Sequence, residues 1–83
     1  LLVVTSSLWT TTLNTMMKLL VSLDGTQIAT GQTWSNAQST HRVLPTLFIG
    51  FNLTVGQHVL MLSVAGDGVT SDLNDFFNAS LLY

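Results

Sequence analysis

Between Gln57 and Ala65 the chain alternates, with His58, Leu60, Leu62 and Val64 on one side of an extended backbone and Val59, Met61, Ser63 and Ala65 on the other. A period of two predicts a β-strand. Both sides are mostly apolar, so the strand is expected to be covered on two faces, as inside a sandwich or at a subunit interface. Upstream, "RVLPTLFIGF" predicts another strand. Pro45 places that strand at an edge, a start or a bulge, because proline offers no donor to the ladder. Gly56 punctuates the stretch between the two runs at hairpin distance, and an antiparallel pair is expected.

The stretch "LNTMMKLLVSLDGTQIATG" fits two templates. Leu13, Met16, Met17, Leu20 and Val21 form a helical stripe, while Thr15, Met17, Leu19, Val21 and Leu23 alternate as in a strand. Asp24-Gly25 suits a two-residue hairpin, and glycine also suits a helix C-terminus. The strand is preferred because "TQIAT", beyond the turn, has β-type residues to pair with. From Gly31 to Thr40 the chain is small and polar apart from Trp34, which predicts a loop. With Leu1 to Trp9 and Phe76 to Tyr83, about six strands recur at roughly 10-residue spacing. The expected fold is all-β, an antiparallel β-sandwich formed by residues 1–83 as a single domain or a fragment of one.

Composition sharpens this picture. Hydrophobic residues make up 47 % of the 83-residue chain and charged residues 7 %, against about 25 % charged in ordinary soluble domains; mean hydropathy is +0.50. A chain of this length buries only roughly 60 to 65 % of its unfolded surface alone. The surplus apolar surface calls for an apolar partner. Runs such as "LLVV" and "LFIGF" are too short for a spanning helix, which needs about 18 to 20 apolar residues. A porin-like barrel also reads as alternating segments, but its lumen is usually richer in charge. The net charge of -2 leaves no basic patch for nucleic acid. The absence of cysteine removes disulfides and thiolate chemistry. The apolar beginning "LLVV" and the ending "FFNASLLY" both read as strands, so the unit is expected to be cut from a larger protein and incomplete on its own.

Candidate chemistry is sparse. "AGDGVTSDLND" holds three of the four carboxylates, Asp67, Asp72 and Asp75, and with Asn74 it offers the oxygen donors that Ca²⁺ prefers. Its spacing is not that of an EF-hand, and the chain has no Glu. Gly66 and Gly68 with flanking Asp and Asn describe a turn, and no metal or other cofactor is expected. His41 and His58 stand among serines and aspartates without a nucleophile-elbow pattern, and no enzymatic activity is expected. Trp34, followed by Asn36, Gln38, His41 and Arg42, is the candidate ligand-binding residue. An exposed indole can stack on a sugar ring while amides and guanidinium bind hydroxyls; the alternative is an indole that caps the open end of the sandwich. Asn52-Leu53-Thr54 and Asn78-Ala79-Ser80 match the glycosylation sequon, a frequency that chance supplies in a Ser/Thr-rich chain.

The run "LTVGQHVLMLSV", its Gly/Asp loop and the closing "DFFNASLLY" resemble the final hairpin of small jelly-roll domains in tailed-phage tail fibres, collars and minor tail proteins, and of trimeric domains similar to C1q and tumour necrosis factor. "LLVSLDGTQIATG" likewise looks like a strand, DG turn and strand of such a domain. The resemblance implies that Leu53 closes one strand, Gly56 makes a turn, His58 to Val64 is an inner strand and Phe77 to Tyr83 the last. It implies a virion or extracellular location and a structural or receptor-facing module. Its partners would be protein subunits of the same assembly, as a homo-oligomer and by this resemblance a trimer, with a glycan as an alternative ligand. No catalytic residue is carried over. A complete jelly roll needs well over 100 residues, so further strands are expected from the parent chain, a neighbour or a domain partner.

Overall fold

Alternation decides the first element: Leu2, Val4, Ser6, Leu8 and Thr10 are buried on one face of strand β1 (Leu2–Thr10), while Val3, Thr5 and Trp9 on the other keep partial exposure. In this computed structural model, which describes residues 1–82, seven further strands follow. They are β2 (Thr15–Leu23), β3 (Thr26–Ser35), β4 (Thr40–Val43), β5 (Leu47–Ile49), β6 (Leu60–Ala65), β7 (Val69–Thr70) and β8 (Phe77–Leu81). There is no helix among the described residues. The chain is all-β, with two antiparallel sheets stacked as a sandwich.

In the first sheet β1 is paired along both edges. β4 and β5 share one edge, and β7 and β8 share the other. The second sheet has the order β3-β2-β6. In β2, Thr15, Met17, Leu19 and Val21 are buried while Met16, Lys18 and Leu20 are half-buried, so the strand template holds over 15–23. Asp24 (φ 51) and Gly25 (φ 85) form the turn, both left-handed, as a two-residue hairpin loop between right-twisted strands requires. Between the sheets lie Leu2, Val4, Leu8, Met17, Leu19, Val21, Leu44 and Ile49.

Several expectations are corrected. The strands around Leu47 and Leu62 do not form a hairpin: β5 pairs with β1 and β6 with β2, in different sheets. Pro45 breaks "RVLPTLFIGF" into two strands separated by a bulge, since three steps along β1, from Ser7 to Val4, match four on its partner, from Val43 to Leu47. The extra residue lets Leu44, Leu47 and Ile49 all turn inward. The alternating run near Leu62 begins at Leu60 rather than Gln57 and is an edge strand, with Met61 57 % exposed, so it is not an inner strand and the chain itself covers only one of its faces. The polar stretch from Gly31 is not all loop: β3 continues to Ser35, whose hydroxyl binds Ala37 and ends the strand. Among the described residues eight strands therefore replace six, and Leu53 closes none. The last expected strand is β8; Tyr83 lies outside the described residues.

The chain crosses from the second sheet to the first at Gly66-Asp67-Gly68, between β6 and β7. Gly66 has φ +124, and a Cβ there would run into the carbonyl oxygen of Met16 and the side chain of Val69. Gly25 has φ +85 but open space around it. Gly66→Ala is expected to lower stability by about 3 kcal/mol, combining backbone strain with the forced movement of β2, whereas Gly25→Ala costs about 1 kcal/mol. Urea denaturation of the two variants checks this, and equal losses would show that the crossing is not closely packed.

Candidate functional site

Ser7, Trp9, His41 and Val43 share the outer face of the first sheet, because Ser7 pairs with Val43 and Trp9 with His41 while Leu8 and Thr10 point inward. On the far edge of β1, Trp9 faces Thr70 and Ser6 faces Phe77, so the partner chain makes a four-residue excursion between β7 and β8. That excursion folds over the outer face of β1. Asp75 is carried across the strand to accept hydrogen bonds at Oδ1 from Ser7 Oγ (2.9 Å) and His41 Nδ1 (2.9 Å). Its Oδ2 accepts the amide of Asp72 (3.0 Å), and its side chain is wholly covered although its backbone is not. Asp72 Oδ1 accepts the amide of Asn74 (2.8 Å), which leaves Oδ2 facing His41 Nε2 at 3.7 Å.

Both ring nitrogens of His41 thus meet carboxylates. The bond to Asp75 raises its pKa above the ordinary histidine value; burial opposes this, and the charges of Asp72 and Asp75 add to the rise. Burial pushes Asp75 upward, but the donors from His41, Asp72 and Ser7 more than offset it, and its carboxyl titrates below the usual range. Trp9 flanks the imidazole with its ring centre 6.3 Å away. Ser7 donates to the carboxylate rather than to the imidazole, so the trio lacks the serine–histidine bond that activates a nucleophile. Of the three acids in "AGDGVTSDLND", Asp72 and Asp75 converge on His41. Asp67 stays in the crossing turn, where its carbonyl accepts from Thr10.

His58 has a second arrangement of this kind. Nδ1 donates to Asp24 Oδ2 (2.6 Å) and Nε2 to the carbonyl of Thr54 (2.7 Å), while Asp24 Oδ1 accepts the amide of Val59 (2.8 Å). The irregular segment before β6 is thereby pinned to the β2–β3 turn. The bond to Asp24, then that to Thr54, raises the His58 pKa; the same imidazole, then the Val59 amide, lowers that of Asp24.

Trp34 projects from β3 beside its partner Met16 on the outer face of the second sheet, 53 % exposed, because Ser35 takes the inward position. Gln32 and Lys18, also paired, lie next along that face. His41 belongs to the opposite outer face. Arg42, whose partner on β1 is the inward Leu8, bonds Asn36 Oδ1 at 3.3 Å. The indole therefore stands on a strand face beside Met16, Gln32 and Lys18, without the imidazole that follows it in sequence.

The sandwich is closed on one side and open on the other. Gly31 of β3 lies close against Leu47 of β5. Across the sandwich, β6 pairs only with β2 and β8 only with β1, so each has a free edge. At the end of the sandwich where these edges begin, a groove of about 620 Å³ lies between the end of β8 and the irregular segment before β6, bordered by Leu1, Phe51, Leu53, His58, Leu81 and Leu82. A smaller cavity of about 160 Å³ shares Phe51, Leu53, His58 and Leu81 and reaches Leu2, Leu23 and Leu60.

The His58–Asp24 pair sets a pH window for stability. A raised histidine pKa contributes fully below its unfolded value, near 6.5, and is lost as pH rises through the folded value; a lowered aspartate contributes above 3.8 and is lost as pH falls through its folded value. Asp24→Asn keeps the left-handed turn residue and removes the charge. Its destabilisation relative to the parent is expected to be largest between these two pH values and to shrink at higher pH, as read from Tm across a pH series. A difference independent of pH would show that the pair is not formed.

No protein-family model matches the chain, and searches of curated proteins and of solved structures return no match.

Proposed function

We propose that the chain is a structural and interaction module of a multi-subunit assembly, and that the groove between the end of β8 and the segment before β6 is where another copy of it docks. The observation that carries this reading is a trough with an apolar floor at the end of two strands that each keep a free edge among the described residues. Among the described residues fifteen large hydrophobic side chains are exposed and eight apolar residues are buried. Leu53, Leu60, Leu81 and Leu82 border the trough, and Met61 and Phe77 stand on the strands beside it. Of the charged or titratable side chains only His58 lines it, so the contact buries few charges. Free strand edges also supply unpaired backbone donors and acceptors, which favour a β-strand as the occupant.

Placement in a virion, as a tail or fibre protein, and a trimeric jelly-roll arrangement rest on the resemblance of "LTVGQHVLMLSV" and "DFFNASLLY". A second reading is a receptor- or carbohydrate-binding surface centred on Trp34, favoured by the half-exposed indole beside Gln32 and Lys18 on a flat strand face.

Sedimentation equilibrium over a concentration series is expected to show a homo-oligomer. Leu53→Asp and Leu82→Asp, at exposed positions on the groove, are expected to weaken association at least about tenfold, as burying one uncompensated charge in an interface does. A parent chain that stays monomeric throughout would sink the assembly reading. For the second reading, glycan-array binding should disappear in Trp34→Ala, and binding unchanged by that substitution would exclude the indole as the platform.

A further inference from the structure

We propose that His41, Asp72 and Asp75 form a binding site for a divalent transition-metal ion of the zinc type on the outer face of the first sheet. The groups come from two separate parts of the chain, β4 and the excursion between β7 and β8. One ligand atom from each residue lies within 4.8 Å of the others. His41 Nδ1 and Asp75 Oδ1 are 2.9 Å apart. Neighbouring ligands in a tetrahedral zinc site stand about 3.3 Å apart, as bonds of about 2.0–2.2 Å require, so this pair needs a shift of tenths of an ångström. The exposed Asp72, whose Oδ2 stands 3.7 Å from Nε2, must swing toward Nδ1 to complete the site.

The electrostatics point to a cation independently of that spacing. The Asp75 side chain is wholly covered and Asp72 stands beside it, and among the described residues the single imidazole of His41 is the cationic partner of both, with no Lys or Arg paired to either. A covered carboxylate needs a positive partner. Two carboxylates against one imidazole leave surplus negative charge, which a divalent ion neutralises. The donor set also selects the ion: one imidazole nitrogen with two carboxylate oxygens suits zinc-like metals, whereas calcium takes oxygen ligands alone.

Surrounding bonds hold the carboxylates in place. Ser7 Oγ and the Asp72 amide fix Asp75, and the Asn74 amide fixes Asp72 Oδ1 while Oδ2 stays available. Three protein ligands leave a fourth position for water, so the ion would also tie the excursion to β4 across β1. The site faces outward from the first sheet, away from the groove at the end of β8, and does not depend on what fills that groove.

Protein stripped with a chelator is titrated with Zn²⁺ by calorimetry. One ion per chain is expected, with affinity reduced at least about tenfold in Asp72→Asn and in His41→Ala, and unchanged in His58→Ala. Asp72 is exposed, so Asp72→Asn carries the result if His41→Ala does not fold. As a second readout, Cu²⁺ is expected to quench Trp9 fluorescence in a Trp34→Phe background, since Trp9 adjoins His41. Absence of saturable binding up to about 1 mM, binding insensitive to Asp72→Asn, or binding of Ca²⁺ in preference to Zn²⁺ would overturn the proposal.

Discussion

Strand β1 is the constraint on which the rest of the molecule depends. Along its inward face it contributes Leu2, Val4 and Leu8 to the core, and along its two edges it satisfies four short strands that could not stand alone. Isolated strands of two to five residues leave most of their backbone groups unpaired; docking each on the same long strand removes that cost. The first sheet is therefore organised around one element, whereas the second is a hairpin with one added edge strand. The difference explains why the outer-face cluster assembles where it does. Asp75 and His41 lie 34 residues apart in sequence, and only because β1 separates their strands can one reach over it to the other.

The fold class was legible from alternation, because a period of two is visible wherever one face is buried and the other wetted. β1 and β2 show it in full, and the Asp24-Gly25 turn follows from the left-handed backbone that a tight hairpin needs. Alternation misleads where its phase changes. Read through Pro45 without a break, the inward set would run from Leu44 to Phe48; the bulge resets it, so that Leu47 and Ile49 are inward and Phe48 is 71 % exposed. Pairing partners were less legible still. Adjacent runs look like hairpins, but Phe51 to Val59 leads the chain from one sheet to the other, and no local residue type announces that.

The candidate sites illustrate the same limit. Trp34 was conspicuous as a large residue among small polar ones, a composition that β3 tolerates because its outer face meets solvent. The two histidine–carboxylate contacts carried no signal, since each joins residues 34 positions apart and neither matches a compact motif. Yet they show how a chain with 7 % charged residues deploys them. Three of its four aspartates meet a histidine, and each histidine places both ring nitrogens opposite an acceptor. Charge here fastens irregular segments onto strands.

The excursion between β7 and β8 has a consequence for how such a chain can vary. It adds an even number of residues to the partner of β1, so Thr70 before it and Asn78 after it still face the same side. Lengthening or shortening it in steps of two would leave every side chain of β8 on its own face, while the odd step at Pro45 reverses the facing of all that follows. Of the two interruptions along the edges of β1, the one at Pro45 is thus held to a single residue by the facing of β5, while the other is free of that constraint and is held instead by the reach of Asp75 to Ser7 and His41.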